Sequence, residues 1–424
     1  MQKSMLSGVP AMLLAIVTAF AQNNPIKTTG ASADIPTIPQ TGPKADAIKK
    51  NLEKIKLPYG FHIGLYALVP DARHMAVGPQ GIVTFVGTRK ASRSEEFRPN
   101  RNVYAVIDRG KTGVADEVKP FASTIDLVIP NGPCFSKDGS LFVVEQNRVL
   151  MYPAAEFSYE SPDVVAVPIV PQGELVPKED DSHQHAARTC RVGPDNKLYI
   201  TLGQPFNVPP PGKLDGFKKW GIGGIIRMDR DGKNRVVYAW GVRNSVGMDF
   251  NPKDETLWFT DNQVDGMGDD IPPGELNRAT KAGQNFGFPY YGGGHVRTEE
   301  YKNETPPADV VFPQVETVAH AADLGMTFYT GTMFPRKYQG AIFSAQHGSW
   351  YRTVRVGARL MVTYLKEDGT AEKMEPFAEG WLDWLGDHGQ YLGRPVDVAQ
   401  LRDGSILVSD DTADALYRIW YDGK

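Results

Sequence analysis

From Leu57 onward the chain alternates short apolar runs with polar turns, and the unit returns six times. A turn rich in Gly, Pro, Asn and Asp leads into an apolar strand at 78–86, 137–144, 193–200, 252–259, more loosely at 338–343, and at 402–408. A following strand is visible at 103–108, 225–229 and 416–420. An Asp-Gly turn that feeds such a strand is a hairpin signal, because Gly accepts positive φ and the alternation leaves a face to bury. Six units at uneven spacing predict an all-β fold, a six-bladed β-propeller with insertions. Closing the ring would remove the strand edges that a linear array leaves open. Residues 62–68, ahead of the first repeat, are placed to complete the last blade as its outer strand. Insertions at 153–184, 203–222, 262–274 and 285–322 then fall between strands, where a propeller carries its binding face.

The first 56 residues read differently. Lys3, an apolar run over 8–17 and Ala19-Phe20-Ala21 form a secretory signal peptide over residues 1–21, cut before Gln22. The alternative is a retained membrane anchor, although the run is shorter than the roughly 20 residues that span a bilayer, and no later segment is apolar enough to span. Residues 22–42 form a flexible leader rich in Pro, Thr and Asn. Ile48, Leu52 and Ile55 recur at helical spacing within 43–56, which predicts one short amphipathic helix. The propeller domain is thus expected over 57–424, behind a helical leader over 22–56, in a periplasmic or secreted protein.

Composition narrows the function. The 424 residues carry a net charge of −4, or −5 once Lys3 leaves with the signal peptide, without a concentrated basic stretch, so nucleic acid is not an expected partner. Cys134 and Cys190 are the two cysteines. An oxidising compartment would permit a bridge between them, and their spacing leaves the pairing open. No Cys-x-x-Cys-His occurs, which excludes covalently attached c-type haem.

Candidate chemistry lies at the junctions leading into strands. Residues 181–188 hold His183 and His185 just before the third repeat, and a histidine there can point into an axial pocket and take a proton from a hydroxyl. Arg243-Asn244 offers a cationic fork beside an amide, suited to a carboxylate or a quinone oxygen. The stretch 259–277 is dense in Asp, Asn and Gly, hard oxygen donors of the kind calcium prefers, without EF-hand spacing. His347 follows the fifth repeat strand and Arg394 enters the sixth. Each alone has an ordinary structural reading; their equivalent placement in successive blades would bring them to one axial pocket.

Taken in this order, the motifs resemble the soluble quinoprotein glucose and aldose sugar dehydrogenases, and more closely their sorbosone-dehydrogenase-like relatives, over about residues 57–422. The strings that carry the likeness are the His185 loop running into Gly193-Pro194-Asp195, Gly241-Val242-Arg243-Asn244, Thr260-Asp261 through Glu275-Leu276-Asn277, 324–331, and 393–398. The resemblance implies oxidation of a sugar or sugar aldehyde with pyrroloquinoline quinone (PQQ) and calcium, electrons passing to an external acceptor, a cytochrome or a quinone. It makes His185 the general base and gives Arg243 and Asn244 the quinone oxygen. It assigns His347, Arg394 and Arg89 to the cofactor's carboxylates. Calcium would be held partly by main-chain oxygens near Gln263 and Val264. The chain departs from the glucose enzymes at Gln184, where they carry an Asp, and at Gln263-Val264, where they carry Gly-Pro; a second basic residue after Arg394 is replaced within Pro395-Val396. His183 remains a rival base. A calcium-dependent propeller lactonase and a non-catalytic periplasmic binding propeller are the competing readings.

Overall fold

The strands that follow the six turns are apolar on both faces because each is walled by a neighbouring sheet on either side. In the computed structural model, which describes residues 35–89, 101–161, 163–383 and 389–424, these strands are Val83–Val86, Leu141–Val144, Leu198–Leu202, Leu257–Asp261, Ile342–Gln346 and Ile406–Asp410, all buried. Leu141 and Val143 pack toward the preceding blade, while Phe142 and Val144 pack toward the next. The segment read as a signal peptide lies outside the described residues.

Each of these strands is second in an antiparallel four-stranded blade, to which the third blade adds a short fifth strand, Gln284–Asn285, paired parallel to Val236–Trp240. The first, axial strands are Met75–Val77, Gly132–Phe135, Cys190–Val192, Gly247–Phe250, Asp323–Phe328 and Pro395–Gln400 in blades 1 to 6, and each touches both neighbours around a closed ring. The turn between first and second strand needs one residue at positive φ. Gly404 supplies it in blade 6 (φ 89°), whereas Asn196 and Glu255 adopt it in blades 3 and 4 (φ 59° each).

Phe61–Leu68 pairs antiparallel with Ala415–Tyr421 and so gives blade 6 its outer strand, closing the ring with the start and end of the chain. The predicted helix is Pro43–Leu52; it ends before Ile55 and sets Ala45, Ile48 and Leu52 into the cluster between blades 5 and 6. Two expected insertions contain outer strands instead of loop alone: Val167–Val170 in blade 2 and Val315–Thr317 in blade 4. Both are short, and Glu316 and Val167 face solvent, so no apolar periodicity marks them. Cys134 and Cys190 are joined by a disulfide between the axial strands of blades 2 and 3, which settles the open pairing.

One residue from each blade fills the axis beneath the binding face. Ala187, Val246, Leu324 and Val396 form an apolar cluster. His74 and Asn131 complete it from blades 1 and 2: His74 Nε2 donates to the Val246 carbonyl at 2.5 Å and Nδ1 accepts from Asn131 Nδ2 at 3.0 Å. Burial lowers the His74 pKa to about 4, so the ring is neutral.

Ring closure rests on a dense aromatic contact. Phe61 sits with its ring centroid 4.7 Å from Phe334, 5.1 Å from Phe377 and 4.9 Å from Tyr421. A Phe61→Ala variant is expected to lose about 3–5 kcal/mol of stability, read as a lowered midpoint in chemical unfolding; an unchanged midpoint would contradict a closing role for this strand.

Candidate active site

Above the axial plug a cavity of about 170 Å³ opens on the face that carries the long loops. His185, Arg243, Asn244, Arg89, His347 and Gln263 all line it. They come from blades 1, 3, 4 and 5 because each stands where a segment leads into an axial strand or leaves a second strand. Asp261, Asp323, Arg73 and His320 also line it, with Trp350 and Tyr351 at the mouth, 75% and 66% exposed.

His185 has a non-glycine backbone at φ 52°, an unfavourable left-handed conformation held by its surroundings. Its Nδ1 lies 2.5 Å from the Gln204 carbonyl, which can only accept, so Nδ1 carries the proton and Nε2 keeps a lone pair. Burial, then the charge of Arg243, lowers the His185 pKa to about 3. The imidazole is therefore a neutral acceptor at ordinary pH, oriented by a main-chain carbonyl and not by the carboxylate that Gln184 replaces. Gly203 makes this fit possible: a Cβ there would lie 2.5 Å from Asn244 Oδ1 and 2.6 Å from the His185 carbonyl. His183 does not line the cavity. It is exposed and bonds Gln146 Oε1 at 2.9 Å, which removes it as a rival base.

Arg243 is buried with its fork held on four sides: Nε donates to the Asn207 carbonyl (3.0 Å), Nη2 to Asn207 Oδ1 and Asp265 Oδ2 (2.9 Å each), and Nη1 to the Asn262 carbonyl (3.2 Å). One Nη1 proton is left over. Beside it, Asn244 Oδ1 and Gln263 Oε1 are buried with no hydrogen-bond partner. Orphaned buried acceptors are costly, on the order of 1–3 kcal/mol each, unless something supplies a donor or a cation.

Asp261 and Glu275 face each other across paired strands and are both buried. Burial raises the Asp261 carboxyl, and burial together with Asp261 raises that of Glu275. At the other side of the cavity Asp411 bridges Arg73 Nη1 (2.9 Å) and His347 Nε2 (2.8 Å). Burial lowers His347 to about 4 and Arg89 to about 10, the latter with help from the charge of Arg73. Arg73, Arg89 and Arg243 bring three guanidinium groups to the cavity, Arg73 paired with Asp411 and Arg243 with Asp265.

Two expected site residues stand elsewhere. Arg394 does not line the cavity: it is buried behind it, donating to the carbonyls of His347 and Gly348 (2.9 and 2.6 Å) and stacking its guanidinium 4.5 Å from the Trp350 ring and 4.8 Å from Tyr391. It shapes the 347–350 loop instead of meeting the cavity contents. Val264 is also buried outside the lining, its N–H on the Gly292 carbonyl. Sequence reasoning missed Arg73 and Trp350. Arg73 had a signal: it precedes the blade 1 axial strand much as Arg243 and Arg394 precede theirs. Among the described residues no group of three or more His, Cys, Asp or Glu is placed to hold a metal, and no helix is long and apolar enough to cross a membrane.

Comparison with known proteins places this architecture. The curated relatives include an uncharacterized protein of Borreliella burgdorferi, 38% identical over 253 residues that cover 58% of this chain and 63% of that protein. Another, from Synechocystis sp., is 30% identical over 189 residues, 38% of this chain and 42% of the relative. The chain thus spans less than two thirds of either relative. Among solved structures, the PQQ domain of pyranose dehydrogenase from Coprinopsis cinerea superposes with a TM-score of 0.66 at 16% identity, covering 86% of this chain and 97% of the domain. The PQQ-bound aldose sugar dehydrogenase of Streptomyces coelicolor gives 0.57 at 17% identity, over 87% of this chain and all of that one. At these identities the superpositions speak for the fold. The sequence profile of the Glucose / Sorbosone dehydrogenase family matches residues 174–418, which take in blades 3 to 5, most of blade 6 and the residues around His185, Arg243 and His347; the chain belongs to that family.

Proposed function

We propose that this protein oxidises a sugar or sugar aldehyde with PQQ and calcium bound in the axial cavity, and passes the electrons to a separate acceptor. One observation carries the reading: a neutral histidine with a free Nε2 lines one small cavity together with three guanidinium groups and two amides whose buried oxygens have no partner.

The residues fit both groups. Arg73, Arg89 and Arg243 match a ligand rich in carboxylates, and the spare Nη1 proton of Arg243 with the Asn244 amide suits a quinone oxygen. Gln263 Oε1, buried without a partner, offers a hard oxygen donor of the kind that calcium takes. When bound, the quinone supplies a hydride-accepting carbonyl and calcium polarises it as a Lewis acid. The protein's own part is placement and proton transfer. His185 Nε2 accepts the proton of the substrate hydroxyl, while Nδ1–H stays on the Gln204 carbonyl and fixes the ring plane. Arg243 and Asn244 would supply donors to the oxygen on which charge grows. Trp350 and Tyr351 narrow the mouth against water. The disulfide is compatible with an oxidising compartment, which supports a periplasmic or secreted location.

Apoprotein given PQQ and calcium should reduce an artificial dye in the presence of an aldose or sorbosone-like aldehyde, and do so only with both additions; lactone hydrolysis without quinone would point to a different chemistry. His185→Ala should retain quinone binding and lose about 10²–10⁴-fold in turnover; unchanged turnover would remove the histidine from the reaction. The pH dependence has a defined sign. The active imidazole is the neutral form, and its pKa is lowered to about 3, so activity carried by this group persists above that value and fails only as pH falls through it. A histidine signal followed by NMR should therefore stay neutral well below 6.5, and an acid limb from His185 near 6.5 would contradict the burial argument.

A further inference from the structure

Three buried carboxylates occupy one position of the repeat. In blades 2, 4 and 6 the second strand runs out into Glu145, Asp261 and Asp410, each 0% exposed. Each accepts backbone N–H groups from the segment leading into the axial strand of its own blade. Glu145 Oε1 takes the Val128 N–H at 2.6 Å, four residues ahead of Gly132. Asp261 Oδ1 takes Asn244 N–H at 2.7 Å and Oδ2 takes Arg243 N–H at 3.0 Å, again four residues ahead of the strand at Gly247. Asp410 Oδ2 takes Arg394 N–H at 2.8 Å, directly ahead of Pro395.

The device is the same and its load differs. Blade 2 holds a valine. Blade 4 holds the two residues that present a guanidinium and an amide to the cavity, and Asp261 Oδ2 also receives Gln263 Nε2 at 3.0 Å, so one carboxylate fixes three lining side chains. Blade 6 holds Arg394, whose guanidinium in turn supports Trp350 at the mouth. Backbone N–H groups fixed by a buried anion leave the attached side chains little freedom to swing, because charge-assisted bonds in a dry site are strong.

We propose that Asp261 is the positioning residue of the Arg243–Asn244–Gln263 arm and Asp410 that of Arg394, while Glu145 is the same clamp in a purely structural setting. The assignment to the quinone rests on the proposed function; the clamp itself does not. Glu145 provides the comparison: it shares burial, repeat position and a backbone N–H bond, is in addition ion-paired with Arg148, whose Nη2 donates to Oε1 at 3.0 Å and whose Nε donates to Oε2, and touches no lining residue.

The test compares Asp261→Asn with Glu145→Gln. Binding of PQQ to the calcium-loaded apoprotein, followed by absorbance or fluorescence, should weaken by about tenfold or more in Asp261→Asn, where three N–H partners lose their anion and at least one is left without an acceptor, and by less than about twofold in Glu145→Gln. Amide hydrogen exchange should quicken at 243–244 in the first variant and around Val128 in the second. Equal loss of quinone affinity in both variants, or none in Asp261→Asn, overturns the proposal. If Asp261→Asn does not fold, Asp261→Glu keeps the charge while displacing the oxygens and serves the same comparison. Should the unaltered protein bind no quinone, the proposed function fails on its own, and unchanged exchange at 243–244 in the Asp261 variant would still sink the clamp.

Discussion

The constraint that governs this molecule is the burial of both faces of its middle strands. A strand such as Leu141–Val144, apolar on both sides, needs a sheet on each side, and a row of such sheets has no natural end until it returns to its start. Pairing of Phe61–Leu68 with Ala415–Tyr421 is what ends it. Six apolar clusters, one between each pair of neighbouring blades, follow from that closure. So does the site, because a closed ring turns the segments ahead of its axial strands toward a common axis. Polar residues that lie far apart in sequence, from Arg73 to His347, then meet in one cavity.

Within that cavity burial works in two directions. It lowers the histidines, keeping His185 and His347 uncharged, and it raises the carboxyls of Asp261 and Asp323. The result is a wall whose fixed positive charges are the guanidinium groups and whose imidazoles remain acceptors or donors of single protons. A general base is useful only while unprotonated, so the burial of His185 beside Arg243 suits the role proposed for it even though it weakens intrinsic basicity.

Much of the fold was legible because the turns repeat: the residues that set positive φ and the apolar strands behind them are local features. The closing strand at 62–68 was legible for the same reason. The outer strands Val167–Val170 and Val315–Thr317 were not, since a strand paired on one side and open to water on the other carries no compulsory apolar pattern. Of the site, the histidine, arginine and amide signals could be found from their places ahead of the strands. Their side-chain directions could not: Arg394 occupies the expected place in sequence, yet the carbonyls of His347 and Gly348 and the rings of Trp350 and Tyr391 draw its guanidinium away from the cavity. The orientation of His185 by the Gln204 carbonyl was equally hidden, because main-chain partners leave no mark in the sequence.

The account turns on whether one cavity brings base, cations and quinone together. A crystal structure of the protein soaked with PQQ and calcium tests this most directly. The account predicts quinone density in the axial cavity, with His185 Nε2 facing its reactive edge, a donor from Arg243 or Asn244 on a quinone oxygen, and an ion close to Gln263. Quinone bound at another face, or an axial cavity that stays free of it at saturating concentration, would contradict it.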